Sequence, residues 1–122
     1  MKQLEHQEQV ALFQWAEMSR SKYPPLCNLF AVPNGGHRHI AVAKKLKAEG
    51  VKAGVPDIFL AWPTKKYHGL FIEMKAGKNK PSDIQREWHD RLNKAGYAIT
   101  TCYNWMEAKF VIIGYLSGME AF

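Results

Sequence analysis

Val55-Pro56-Asp57-Ile58-Phe59-Leu60-Ala61-Trp62 and Gly69-Leu70-Phe71-Ile72-Glu73-Met74-Lys75-Ala76 are the two runs that decide the fold. Both have strand length and are rich in branched and aromatic residues. The polar link from Pro63 to His68 is short, so an antiparallel hairpin is the economical connection. Side chains alternate along a strand, which puts Leu70, Ile72 and Met74 on one face and Phe71, Glu73 and Lys75 on the other. A hairpin folded symmetrically about Lys65 sets Asp57 opposite Glu73, with the Lys75 ammonium two residues away. Like charges facing each other across strands are destabilising, and a low dielectric makes both hard to ionise. A divalent cation between them removes the conflict. Mg²⁺ suits such a site, because it takes few carboxylates and completes its shell with water and phosphate oxygens.

The flanking segments continue the pattern outward. Residues 3–19 read as a helix with Leu4, Ala11, Trp15 and Met18 on one stripe. Residues 28–32 suit a short strand closed by the turn signal Pro33-Asn34-Gly35-Gly36. Residues 38–49 suit a short helix with Gly50 as its stop. After the hairpin, Ser82 and Gln85 match a capping box. The helix they open runs to about Ala95, with Ile84, Trp88, Leu92 and Ala95 inward and Gly96 behind them. Tyr97–Tyr103 reads as a strand. Asn104 and Glu107 cap a last helix with Trp105, Ala108, Ile112 and Tyr115 on one face. The order α-β-α-β-β-α-β-α predicts an α/β sandwich around a mixed sheet, in a single domain over residues 1–122.

Composition narrows the classes of function. The chain carries 17 Lys and Arg against 11 Asp and Glu, a formal charge of +6. That balance favours polyanionic partners. No apolar run is long enough to span a bilayer, and the N-terminus lacks the apolar core of a signal peptide, so a cytoplasmic location is expected, or a host-cell cytoplasm if the protein is viral. Cys27 and Cys102 form no CxxC pair and read as reduced, buried thiols.

Glu8 falls inside the apolar stripe of the first helix, where an unpaired carboxylate is costly. A cation, a water on it, Lys75 or an ordinary buried hydrogen bond would each give it a partner. Lys75 can hold a phosphate, offset developing charge or help deprotonate an attacking water. Each residue also has a plain alternative. Glu73 and Lys75 could be an exposed ion pair, Asp57 a turn residue, Glu8 a solvated boundary residue and Gln85 only a cap. Their coincidence in register on one sheet face favours a site.

Pro56-Asp57 followed by Glu73-Met74-Lys75 resembles the signature of the PD-(D/E)xK nuclease superfamily. More narrowly, the chain resembles the VRR-NUC (virus-type replication-repair nuclease) family. Glu8, Pro33-Asn34-Gly35-Gly36, Gly54-Val55-Pro56-Asp57, Glu73-Met74-Lys75, Gln85 and Trp88 all fit its pattern. That resemblance implies a restriction-endonuclease-like fold and metal-dependent DNA endonuclease activity with Mg²⁺ or Mn²⁺ as cofactor. It implies Asp57, Glu73 and the main-chain carbonyl of Met74 as metal ligands, Lys75 as the catalytic lysine, Glu8 as a further acid of the site, and Gln85 as its support. The alternative is a non-catalytic DNA-binding module that keeps the fold, although mere binding needs no clustered carboxylates.

DNA contacts are expected from two basic segments on either side of the active strand. His37, Arg38, His39, Lys44, Lys45 and Lys47 form the first, with Asn34 in the turn ahead of it as a further contact, and Lys78 and Lys80 form the second. Trp15, Trp88 and Trp105 sit on apolar helix faces and are expected in the core. Val10 and Phe13 lie off the first helix's stripe, leaving an apolar patch that a two-fold homodimer would bury. Stand-alone VRR-NUC proteins resemble dimeric junction-resolving enzymes, so a homodimer acting on branched DNA, four-way (Holliday) junctions first, is the expectation.

Overall fold

The computed structural model describes residues 2–33 and 39–119. Its elements are α1 (Lys2–Met18), a 3₁₀ turn (Pro24–Asn28), β1 (Leu29–Ala31), α2 (Ile40–Ala48), β2 (Ile58–Leu60), β3 (Leu70–Met74), α3 (Asp83–Lys94), β4 (Ala98–Cys102) and α4 (Trp105–Leu116). The expected element order holds, with one 3₁₀ turn added and each strand trimmed at its ends.

The sheet runs β1-β2-β3-β4, antiparallel except for the parallel β3–β4 pair, and is therefore mixed. Its hairpin register pairs Ile58 with Ile72 and Leu60 with Leu70. Thr64 fixes the turn, its Oγ1 accepting from the main-chain N–H of Lys66 and of Tyr67 at 3.3 and 3.1 Å. The pairing is symmetric about Lys65, so extending it by one residue brings position 57 opposite position 73.

One sheet face carries Ile58, Leu60, Leu70, Ile72 and Met74 into the core, against Leu12 and Ala16 of α1 and Ala108, Ile112 and Tyr115 of α4. The Tyr115 hydroxyl crosses that layer to donate to the Trp62 carbonyl at 2.7 Å. Burying these side chains stabilises the fold by roughly 1.5–3 kcal/mol each before entropy is counted. The other face bears an aromatic cluster in which Phe59 stacks on Phe71 at 4.3 Å and meets Phe30 and Tyr97 edge-on.

Two helices differ from their expected packing. In α1 the inward residues are Leu12 and Ala16, while Leu4 and Met18 are exposed, Met18 to 84%. The true stripe is Glu8–Leu12–Ala16 at i, i+4, i+8, flanked by the partly buried Trp15. Apolar residues occur almost all round this helix, so periodicity alone could not fix its phase. In α3 no residue is fully buried, and Ile84 and Ala95 are exposed. By contrast α4 presents Ala108, Ile112 and Tyr115 inward, as expected. Trp15 and Trp105 pack against the core, whereas Trp88 does not belong to it. Cys102 is buried and its thiol is pushed up to about 12 by burial, whereas Cys27 is exposed, contrary to expectation. Among the described residues no helix is long and apolar enough to cross a membrane.

Gly54 sets the approach to the site. It holds φ +91°, and a Cβ there would sit 3.0 Å from both Ile84 and Trp88. Only glycine lets the chain turn this tightly beneath α3 and enter Val55-Pro56-Asp57.

Candidate active site

A cavity of about 770 Å³ opens where α1, the start of α3 and the β2–β3 hairpin converge. Glu5, Phe13, Asp57, Glu73, Lys75 and Gln85 line it. Asp57 leaves the hairpin just ahead of β2, and its Oδ2 accepts the main-chain N–H of Met74 at 2.7 Å. That bond fixes its carboxylate beside the strand that carries Glu73. Glu73 is the one charged residue buried among the described residues, 1% exposed. Its carboxyl shares a hydrogen bond with Asp57 and is pushed up to about 10. Burial is the main cause, followed by the bond to Asp57 and repulsion from it. The Lys75 ammonium pulls the other way, and Glu5 adds to the repulsion. At neutral pH the metal-free site therefore keeps a proton on Glu73.

Gln85 does both things its sequence position suggested. Its Oε1 accepts the Ser82 main-chain N–H at 2.8 Å, and Ser82 Oγ accepts the Gln85 N–H at 3.3 Å, completing the capping box. The other end of the same amide, Nε2, donates to Glu73 Oε2 at 3.4 Å. One helical turn later His89 brings Nε2 to 3.7 Å from Glu73 Oε1. Both atoms are buried and neither has a hydrogen-bond partner. This is no salt bridge, since burial first and then Lys75 hold the imidazole below its usual range, with Asp57 opposing them. A neutral ring and a protonated acid face each other across a gap too wide for a hydrogen bond.

An orphaned buried carboxylate oxygen is the kind of group a cation satisfies. Among the described residues no cluster of three or more His, Cys, Asp or Glu could enclose a metal alone. The donors present, two carboxylates beside a main-chain carbonyl, fit Mg²⁺ or Mn²⁺, which accept water and substrate oxygens for the remainder. They do not suit a closed zinc site.

The structure separates the expected site residues into two groups. Asp57, Glu73, Met74, Lys75 and Gln85 all line the cavity. Glu8 does not. Its Oε1 accepts the Trp105 main-chain N–H at 2.9 Å, at the positive end of α4, beside the Asn104 cap. The ordinary hydrogen bond is thus the partner it takes. The α1 carboxylates in the cavity are Glu5 and Glu17, on the Glu5–Gln9–Phe13–Glu17 face, which sequence reasoning passed over. Val10 and Phe13, expected as a dimer patch, line the same cavity. His89 was also missed, and its i+4 spacing from Gln85 was the available signal. Lys78 and Lys80 are exposed in the loop after Lys75, and Lys44 and Lys45 on α2. Asn34, His37 and Arg38 lie outside the described residues.

Glu8→Ala is expected to lower the unfolding free energy by about 1–2 kcal/mol, because α4 loses a charged partner for an orphan N–H. Glu5→Ala should leave stability within roughly 0.5 kcal/mol of the parent. Urea denaturation of both variants checks the contrast. Equal losses would mean that α1 does not divide into a structural and a cavity face.

A family model described as the VRR-NUC domain matches residues 3–105. A solved structure titled "VRR_NUC domain protein" superposes with a TM-score of 0.78 at 28% identity, covering 94% of this chain and 89% of its own. No curated protein matches.

Proposed function

The chain belongs to the VRR-NUC domain family, a nuclease-type fold, and from that membership together with its carboxylate pair we propose that it is a divalent-metal-dependent endodeoxyribonuclease. The observation that carries this is the buried Glu73, held against Asp57 with one oxygen unpartnered inside a cavity that Lys75 also lines. A binding module gains nothing from holding a buried carboxyl against a second one, since the arrangement costs stability until a cation joins them.

Asp57, Glu73 and the main-chain carbonyl of Met74 would hold Mg²⁺ or Mn²⁺. When bound, the cation supplies the positive charge that lets both carboxylates ionise side by side and that offsets charge gathering on a phosphate. The remaining work falls to this chain's own groups. Lys75 presents its ammonium to the scissile phosphate and stabilises the charge that builds as water adds and a 3′-oxygen leaves. Gln85 orients the Glu73 carboxyl through its amide. Glu5 adds negative charge at the rim, where it favours the cation. The test is cleavage of plasmid, single-stranded, flap and four-way-junction DNA, with and without Mg²⁺ or Mn²⁺. No cutting of any substrate by folded protein with metal would overturn the assignment.

We further propose a homodimer that prefers branched DNA, four-way junctions first. Each chain offers one hydrolytic centre, and a two-fold pair would offer two for paired nicks. Val10 lines the cavity yet stays exposed, and Met106 and Phe110, one turn apart and both exposed on α4, add apolar surface for pairing. Light scattering at micromolar concentration should give twice the chain mass. A monomer there, or equal cutting of linear duplex and junction at matched salt, would refute the respective claim.

A further inference from the structure

A second cavity, about 630 Å³, lies between α2 and α3. Its chemistry differs from that of the first. Lys47, Lys52 and Arg91 line it, and no carboxylate does among the described residues. Trp88 and Ile84 form its apolar wall. The Arg91 guanidinium lies over the Trp88 ring at 4.1 Å.

Several observations make this more than a gap between helices. Trp88 falls outside the core although it is the largest apolar residue of α3. α2 buries none of its residues, so its apolar side chains border open space. The cavity also adjoins the catalytic one through consecutive residues. Ala53 and Ile84 line the second cavity, while their neighbours Gly54 and Gln85 line the first. Gly54, packed against Ile84 and Trp88, is the thin partition between the two cavities.

We propose that this second cavity is a nucleobase subsite, which takes an unpaired base of the strand whose phosphate occupies the catalytic cavity. The inference rests on the nuclease assignment above. Its size suits one nucleotide. Three cations without a carboxylate select a polyanion, and they would repel a basic segment of protein. A guanidinium stacked on an indole offers a flat cationic surface for a base, which bare lysines do not. An unpaired base fits better than a duplex, because a paired base has no free face to stack. Such a subsite would favour cutting beside an unpaired base, such as one opened at the branch point of a junction, over cutting within continuous duplex.

The test uses a duplex with a single-stranded overhang, carrying 2-aminopurine at each position in turn, bound by the full chain in EDTA. At one unpaired position the fluorescence should fall on binding. Arg91→Ala and Trp88→Leu should abolish that drop and weaken overhang binding about tenfold, leaving fully paired duplex within about twofold. Circular dichroism melts identify any variant that fails to fold, and Arg91→Ala, on an exposed side chain, carries the test if Trp88→Leu does so. No responsive position, unchanged binding by a folded Arg91→Ala, or equal loss on duplex and overhang would each overturn the subsite. Cleavage by the parent in Mg²⁺ is recorded separately. A base-dependent signal without cutting would sink the nuclease assignment alone, and cutting without the signal would sink only the subsite.

Discussion

Glu73→Gln is expected to cut DNA at least about 10³-fold more slowly than the parent while folding as well or better. Several kcal/mol of charge stabilisation depend on the cation this residue would hold, and each 1.36 kcal/mol is a factor of ten. The amide fills the same space and is neutral without having to take up the proton that burial demands of Glu73. Asp57→Asn should lose activity comparably, with a modest cost in stability because the carboxylate that receives the Met74 N–H becomes neutral. Asp57→Ala and Glu73→Ala should be equally inactive. Lys75→Ala should behave differently, keeping metal binding yet losing most activity. Single-turnover cleavage with calorimetric metal titration distinguishes the two patterns. Parent-like cutting by all of these variants would mean the site lies elsewhere.

The second large effect is a coupling of metal, protons and stability. In the metal-free fold Glu73 titrates near 10, against a reference of 4.5 in the unfolded chain. Below pH 4.5 both states hold the proton and its contribution is constant. Between 4.5 and 10 the unfolded chain ionises first, so this group's stabilisation of the metal-free fold falls as pH rises. A cation needs the ionised carboxylate, so binding at neutral pH should release close to one proton. Its apparent affinity should then climb about tenfold per pH unit below the folded value. At a hundredfold excess of metal over Kd the fold gains about 2.7 kcal/mol by mass action, roughly 10 °C in melting temperature for a chain of this size. Thermal melts at several pH values, with and without Mg²⁺ or Mn²⁺, check this. A shift that persists in Glu73→Gln, or one independent of pH, would exclude a cation held by this carboxyl.

The hairpin register was legible because it needs only local information. A short polar link between two strand runs leaves one symmetric pairing, and strict two-residue alternation then sends Glu73 to the face of β3 opposite the core. The capping box was legible for the same reason, since Ser82 and Gln85 are three residues apart. What could not be read is what depends on remote neighbours. Whether Glu8 or Glu5 faces the cavity is decided by where α4 begins, 97 residues after Glu8. Trp88 looked like a core residue by periodicity, but α2 stands too far off to cover it. His89 carried one local signal, its i+4 spacing from Gln85, and the third dimension is what brings it to the Glu73 carboxyl.

The Glu8–Trp105 bond also has a temporal side. The first helix carries a wall of the cavity, yet its carboxylate is seated by a main-chain N–H at the start of the last described helix. Closing so long a loop must come before that contact repays it, which places the docking of α1 late in folding. During synthesis, therefore, the hairpin with Asp57 and Glu73 can emerge and pair while α1 still lacks its anchor. A nascent or truncated chain ending before Trp105 is expected to carry Asp57 and Glu73 on their hairpin while the α1 wall of the cavity lacks this anchor.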